Sequence, residues 1–237
     1  MKKIIFLLFI STIVVSACSN NNIKELNQDT SISSAKKEEI NYYPLKNGLS
    51  WTYKLTQTQN GQSNNKFKEM TMSVIDEKQE DGYKSYVLKR FYPDSNIQPN
   101  QTLAKVFTDH IELSRYVQPE IFSNLNSTMA KNSTNLKTNN YIISMKFPLT
   151  VGDSWSGRDF KEGVETISVE KFETITVPAG TFDCVKVKHN LKYNAGNEDN
   201  LYYWYGANKG MVKLHEEITI QYGGQLLKMA ADGELIK

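Results

Sequence analysis

The residues of this sequence that could do chemistry are few and widely spaced. Its three histidines are His110, His189 and His215, and none belongs to a His-x-x-x-His or Cys-x-x-Cys motif. Because such spacings are typical of zinc sites, we expect no metal site and no cofactor. The chain also has no Gly-x-Ser-x-Gly elbow, no phosphate-binding loop and no dinucleotide fingerprint. These observations predict a protein that is not an enzyme.

Glu216 is the one carboxylate that interrupts a clean apolar pattern. Residues 211–222 alternate strictly, and one face carries Val212, Leu214, Ile218, Ile220 and Tyr222. A buried carboxylate without a partner is costly, so Glu216 should be paired, lie at a bulge or face a cavity. It is therefore a candidate ligand-binding residue. A hydrolase would need it, or another carboxylate, in a cleft near a second acidic group.

On the opposite face of the same strand, His215 and Glu217 stand two residues apart. Such a pair could bind a cation, but on a polar strand face it is more often solvated. We therefore assign no metal ligand here.

The tryptophans supply the other candidates for ligand binding. Trp51 and Trp155 end two similar segments of the type Pro-Leu-x-x-Gly-x-Ser-Trp, at residues 44–51 and 148–155. We interpret these segments as an internal echo in which each glycine makes a turn and sets a Trp at the start of a strand. Stacking on carbohydrate is the alternative role, although Trp is usually part of the core. Trp204, in an aromatic run, is the third candidate.

The elements that must position these residues are strands. Alternating, β-branched or aromatic segments are separated by turns bearing Gly and Asn, and they cover residues 51–58, 67–75, 83–91, 105–108, 111–117, 141–147, 164–177, 182–188, 202–205, 211–222 and 225–231. A short helix is expected at 119–125, within a long loop at 118–140. We predict an all-β, mainly antiparallel fold with little helix: a strongly curved sheet, or an open or closed barrel. It has two possible halves, 41–140 and 141–237.

The stretch from Thr174 to Leu214 is the most distinctive. Pro178-Ala179-Gly180 must interrupt a strand, because Pro donates no ladder hydrogen bond and Gly permits a positive φ. Cys184 follows, and we interpret it as a packed small hydrophobe rather than a reactive thiol.

This stretch resembles a family of poorly characterised bacterial secreted proteins and lipoproteins. The shared pattern is Val-Pro-Ala-Gly-Thr-Phe-x-Cys-x-Lys-Val, then Tyr-Tyr-Trp-Tyr, then Gly-x-Val-Lys, preceded by Phe-Pro-Leu-x-x-Gly-x-x-Trp. The resemblance covers most of the chain after Asn41, and it implies no known activity and no catalytic residues.

The amino terminus is predicted to be a lipoprotein signal peptide, residues 1–17. Lys2 and Lys3 precede an apolar run, residues 4–15, which has the length of a secretory signal and is shorter than the roughly 20 residues of a membrane span. Val15-Ser16-Ala17-Cys18 resembles a bacterial lipobox, which implies cleavage before Cys18 and a diacylglyceryl group on its sulfur. The alternative is an ordinary secretory signal with a chance cysteine.

Residues 18–40 are predicted to carry the lipidated cysteine and a flexible tether. The segment is rich in Asn, Ser, Lys and Glu, so it buries too little apolar surface to order itself. As a coil it would reach about 25 Å. Residues 41–237 then form the β-rich domain.

Processing would also change the charge and the cysteine count. Removing Lys2 and Lys3 leaves 26 basic side chains against 26 acidic ones, which gives no electrostatic footprint for nucleic acid. Lipidation of Cys18 leaves Cys184 alone, so no intramolecular disulfide is expected.

Together these features favour a non-enzymatic, lipid-anchored protein of the cell envelope, extracytoplasmic, with a β domain that is a binding or interaction module. The membrane, through Cys18, and an envelope protein or apolar ligand are the expected partners. A carrier of lipid or another apolar ligand in a half-barrel pocket is the second hypothesis, and an envelope hydrolase is the third. A large apolar cavity would favour the carrier. A filled barrel with an exposed aromatic patch would favour the interaction module.

Overall fold

A computed structural model describes residues 40–63, 67–94, 98–114, 141–160, 163–222 and 225–237. These residues form thirteen strands and no helix, so the predicted all-β class is confirmed. The strands are β1 (Ser50–Gln59), β2 (Gln62–Ser63), β3 (Glu69–Gln79), β4 (Lys84–Phe91), β5 (Asn100–Val106), β6 (His110–Ser114), β7 (Tyr141–Lys146), β8 (Ser154–Phe160), β9 (Gly163–Val177), β10 (Gly180–Tyr193), β11 (Glu198–Gly206), β12 (Gly210–Tyr222) and β13 (Gln225–Leu235).

Several predictions concern parts of the chain outside the described residues. They are the signal peptide, the lipidation of Cys18, the tether up to residue 39, and the loop at 118–140 with its short helix. Within the described residues, no helix is long and apolar enough to span a membrane.

The strands form one antiparallel sheet that is nearly closed into a barrel. The strand order is β7-β6-β5-β4-β3-β1-β13-β12-β11-β10-β9-β8, with the two-residue β2 paired to β1. Apart from β2, strands that follow each other in the sequence are neighbours from β1 to β7 and from β8 to β13. The two series meet where β1 pairs with β13, the last described strand, through the pairs from Tyr53↔Leu235 to Gln59↔Met229. The two edge strands of the described sheet are therefore β7 and β8. We call the gap between these two strands the seam.

Alternation along the strands fills the barrel interior with apolar side chains. In β1, Trp51, Tyr53 and Leu55 are buried whereas Lys54 and Thr56 are exposed. In β12, Val212, Leu214 and Ile218 are buried on the same face as Glu216. Because one face of a strand is buried and the other is wet, a shift of one residue would expose this entire set, so the register is well specified.

The two Pro-Leu-x-x-Gly-x-Ser-Trp segments adopt the same backbone arrangement. Gly48 and Gly152 both have positive φ, +87° and +94°, and their amides donate to Val74 O and Val169 O at 2.9 Å. Each segment delivers its Trp as the second residue of a strand, β1 or β8. The predicted turn and strand start are therefore observed in both copies.

The longest hairpin joins β9 to β10 through Pro178-Ala179. Val177 pairs with Gly180, whose φ of +136° is accessible to Gly but rarely to other residues. The predicted interruption at this point is confirmed. A register shift between Lys186 and Val187 adds a bulge to β10.

Candidate functional site in the barrel interior

Three charged or titratable side chains meet inside the barrel on β8, β9 and β10. The Glu165 carboxylate accepts hydrogen bonds from the Arg158 backbone N–H at 3.0 Å, from Arg158 Nε at 2.8 Å and from Arg158 Nη2 at 3.2 Å. His189 Nδ1 lies 2.9 Å from Glu165 Oε1. Because an ionised carboxylate can only accept, this nitrogen carries the proton in that contact. We call Arg158, Glu165 and His189 the interior triad.

Local features of the strands aim this triad inward. Glu165 lies in the same alternation as Ile167 and Val169, both buried, so it faces the core. On β8 the register shifts between Ser156 and Asp159, and such an irregularity re-aims side chains. Arg158 lies within that shift, which turns its guanidinium towards Glu165.

Gly157 allows β8 to approach Glu165 closely. A Cβ at this position would lie 2.7 Å from Glu165 Cγ and 2.7 Å from Oε2, closer than real contacts permit. Because Gly157 has no side chain, there is room for the Glu165 carboxylate that Arg158 binds.

The environment strongly stabilises the charged form of Glu165. Its side chain is only 1% exposed, and this burial alone would raise its pKa. The hydrogen bond from His189 and the charge of Arg158 outweigh burial and lower the pKa from 4.5 to about 2. Burial would lower the pKa of Arg158, but Glu165, Tyr203 and Glu216 together raise it. Both partners are therefore ionised at neutral pH.

Glu216 is the second interior carboxylate. It is fully buried, and Tyr203 donates its hydroxyl hydrogen to Glu216 Oε1 at 2.8 Å. The Tyr203 ring also contacts the His189 ring edge-on, with centroids 4.9 Å apart. Glu216 is thus buried and paired, as its place in the alternation predicts, and it lies next to the interior triad. Its role as a ligand-binding residue stays a prediction.

A cavity of about 60 Å³ adjoins the triad. Part of its wall is apolar, including Leu88, Leu113, Ile142, Leu201 and Met211, and part is polar, made by Arg90, Thr102, Ser144, Arg158, Glu165, His189 and Tyr203. Such a space can hold a few water molecules or a small polar molecule. It is far below the roughly 300–1,000 Å³ of pockets for larger ligands.

The tryptophan candidates fall in two places. Trp51 is 5% exposed and Trp155 is 7% exposed, and their indole N–H groups donate to Lys209 O at 2.7 Å and to Ile143 O at 2.9 Å. Both rings belong to the core. This burial favours the structural interpretation of the two tryptophans over carbohydrate stacking.

Trp204 is half-buried on the outer face of the barrel. It donates to Glu173 Oε1 at 2.8 Å, and Lys186 and Lys213 lie 5.3 Å and 5.8 Å from its ring centroid. The Tyr202 ring lies beside it at 6.3 Å. Trp204 is therefore partly exposed to solvent within an aromatic and charged surface, whereas Trp51 and Trp155 are buried.

The polar face of β12 makes ordinary pairs. His215 Nδ1 lies 2.8 Å from Asp232 Oδ1, and Glu217 pairs with Lys228. No group of three His, Cys, Asp or Glu side chains in the described ranges could hold a metal ion.

Cys184 is 1% exposed, and burial raises the pKa of its thiol to about 11, so the thiolate is disfavoured.

Sequence reasoning missed the interior triad. Glu165 and His189 occupy inward positions of their strands, in step with Ile167 on β9 and with Val185 and Val187 on β10. This is the signal that identifies Glu216, and applying it to every strand would have found both residues. Arg158 has no such signal, because its direction depends on the irregular pairing of β8.

Part of this chain is similar to a known protein family. A family model described as DUF3108-like matches residues 158–217, a minority of the chain. The matched segment begins at Arg158 and contains Glu165, His189, Tyr203 and Glu216. The search of the curated proteins found no match.

Two solved structures are similar to this chain at 18% identity and a TM-score of 0.47. One is described as a "putative lipoprotein" from Parabacteroides distasonis, and the match covers 83% of this chain and 97% of that one. The other is described as a "putative exported protein with YmcC-like fold" from Bacteroides fragilis, with 82% and 97% covered.

Proposed function

We propose that this chain is an envelope lipoprotein, anchored through Cys18, whose β domain is a non-enzymatic binding module. The observation that carries the proposal is the filled interior of the barrel. Apolar side chains and the buried polar groups among them leave a cavity of about 60 Å³. A carrier of lipid would need a much larger apolar space.

The interior also argues against hydrolysis by a carboxylate pair. Glu165 is held ionised by Arg158 and His189, so it is a poor proton donor at neutral pH. Glu216 is fully buried, and the cavity between these groups does not accommodate a sugar ring. The outer face, including the half-buried Trp204, is then the surface left to meet a partner.

The claim that the barrel interior holds no lipid is tested by measuring the lipid that co-purifies with the protein. The full-length chain is purified from its own host in mild detergent, and non-covalent lipid is extracted and quantified by mass spectrometry. We expect no stoichiometric lipid beyond the group covalently attached to the chain. One bound lipid per protein would overturn the binding module in favour of the carrier.

The anchor is tested by metabolic labelling with an alkyne-tagged fatty acid and by membrane fractionation. Cys18→Ala should abolish the label and release the protein from the membrane fraction. Cys184→Ala is the matched control, because it removes the other cysteine, and it should keep both label and membrane association. Persistent labelling of Cys18→Ala would contradict the anchor.

A further inference from the structure

The imidazole of His189 is satisfied on one side and unsatisfied on the other. Its Nδ1 is bonded to Glu165, but Nε2 is buried and no group in the described part of the chain lies within hydrogen-bond distance of it. Leaving a buried polar atom unpaired destabilises the folded state. The same side chain lines the interior cavity, so a small molecule there could complete its hydrogen bonding.

The charges on the cavity wall favour an anion. Two guanidinium groups, Arg90 and Arg158, line the space against one carboxylate, Glu165. Glu216 accepts a hydrogen bond from Tyr203, which also lines the cavity. Because Nδ1 of His189 donates to Glu165, Nε2 can donate to an anion only from the imidazolium form, which adds a positive charge to this lining.

The shape and lining of the cavity favour a short carboxylate over phosphate. About 60 Å³ admits a molecule of only a few heavy atoms. The lining also carries apolar side chains, including Leu88, Leu113 and Leu201, and these suit a methyl group better than a fourth phosphate oxygen.

The cavity lies beside the seam. Ile142 and Ser144 of β7 and Arg158 of β8 line the cavity, and these are the two strands that the described sheet leaves unpaired with each other. The side chains of Arg158 and His189 keep 17% and 12% exposure, whereas Glu165 between them keeps 1%.

We propose that the barrel interior binds a small monocarboxylate, of the size of acetate, through His189 Nε2 and the positive field of Arg90 and Arg158. The carboxylate accepts a hydrogen bond from Nε2, and the imidazole takes up one proton from solvent as the anion binds. Glu165 holds the ring and Arg158 in place. This inference goes beyond the proposed function and depends on neither the lipid anchor nor the outer face.

The experiment titrates the full-length chain with sodium acetate and follows the imidazole nitrogens by ¹⁵N NMR. Only three histidines are present, so each signal can be assigned with single variants. We expect a saturable shift of His189 Nε2 and no such shift at His110 or His215. Acetamide and benzoate should leave His189 unchanged, because acetamide lacks the carboxylate and benzoate exceeds the cavity. Absence of a saturable shift with acetate, or an equal shift with acetamide, would overturn the proposal.

Variants provide the second arm. His189→Gln should weaken acetate binding by about 10- to 100-fold, the loss expected for a hydrogen bond to a charged group. His215→Gln is the matched control, since His215 also pairs its Nδ1 with a carboxylate, that of Asp232, but on the outer face. It should bind acetate as the original chain does. Calorimetry in buffers of different ionisation enthalpy should register uptake of one proton per acetate, which His189→Gln abolishes. Unchanged binding in His189→Gln would also refute the site.

Discussion

At the scale of single residues, Glu165 is the most consequential side chain of the interior. Its folded-state pKa of about 2 lies below the ordinary value of 4.5. A depressed carboxyl pKa stabilises the fold above the ordinary value, and this contribution is lost as the pH falls from about 4.5 to about 2. The protein should therefore lose stability through this acidic window, in part because Glu165 becomes protonated.

Glu165→Gln should destabilise the protein at pH 7 by about 3–5 kcal/mol, because it leaves the buried Arg158 without its anion. The difference from the original chain should shrink as the pH falls from about 4.5 to about 2, since the Glu165 carboxyl of the unfolded chain takes up a proton in this range before that of the folded chain does. Urea unfolding at a series of pH values measures both effects. Glu217→Gln is the control, because it removes a carboxylate whose side chain is 42% exposed and should cost about 0–1 kcal/mol. A gap that stays constant with pH would contradict the assigned pKa.

At the scale of elements, the interior triad depends on how closely β8 packs against Glu165 of β9. Gly157→Ala would force a Cβ into contact with Glu165 and should cost about 1–3 kcal/mol, as overpacking does. In a Glu165→Ala background the obstructing side chain is gone, so the same substitution should cost markedly less. A double-mutant cycle by chemical denaturation measures this coupling. Additive effects would mean that Gly157 serves another purpose.

The strands themselves could be predicted because their chemistry is local. Alternation in β12 and the Pro-Ala-Gly interruption before β10 are written in neighbouring residues, and both were found. The start of β8 could be predicted from its Trp155, but its irregular pairing could not. Glu216 was identifiable as a carboxylate in an apolar row. Its electrostatic interaction with Arg158 was not, because that interaction requires the sheet to curve until β8 and β12 share one interior.

In the barrel as a whole, the tryptophans of the two Pro-Leu-x-x-Gly-x-Ser-Trp segments form hydrogen bonds at different places. Trp51 of β1 bonds the turn between β11 and β12 at Lys209. Trp155 of β8 bonds Ile143 of β7, so its indole bridges the two edge strands across the seam. The first copy of the motif therefore stabilises a part of the sheet where the strands are paired. The second copy connects β7 and β8, which are not paired with each other.

Replacing each tryptophan by Phe separates these roles. Trp51→Phe and Trp155→Phe each keep an aromatic ring in the core and lose one indole donor, so each should cost about 1–3 kcal/mol of unfolding free energy. Only Trp155→Phe should loosen the seam, because β7 and β8 have no ladder hydrogen bonds to each other to compensate. Hydrogen exchange followed by mass spectrometry should then show faster exchange confined to β7 and β8 in Trp155→Phe, and not in Trp51→Phe. Equal exchange in the two variants would mean that the seam is held by contacts other than this hydrogen bond.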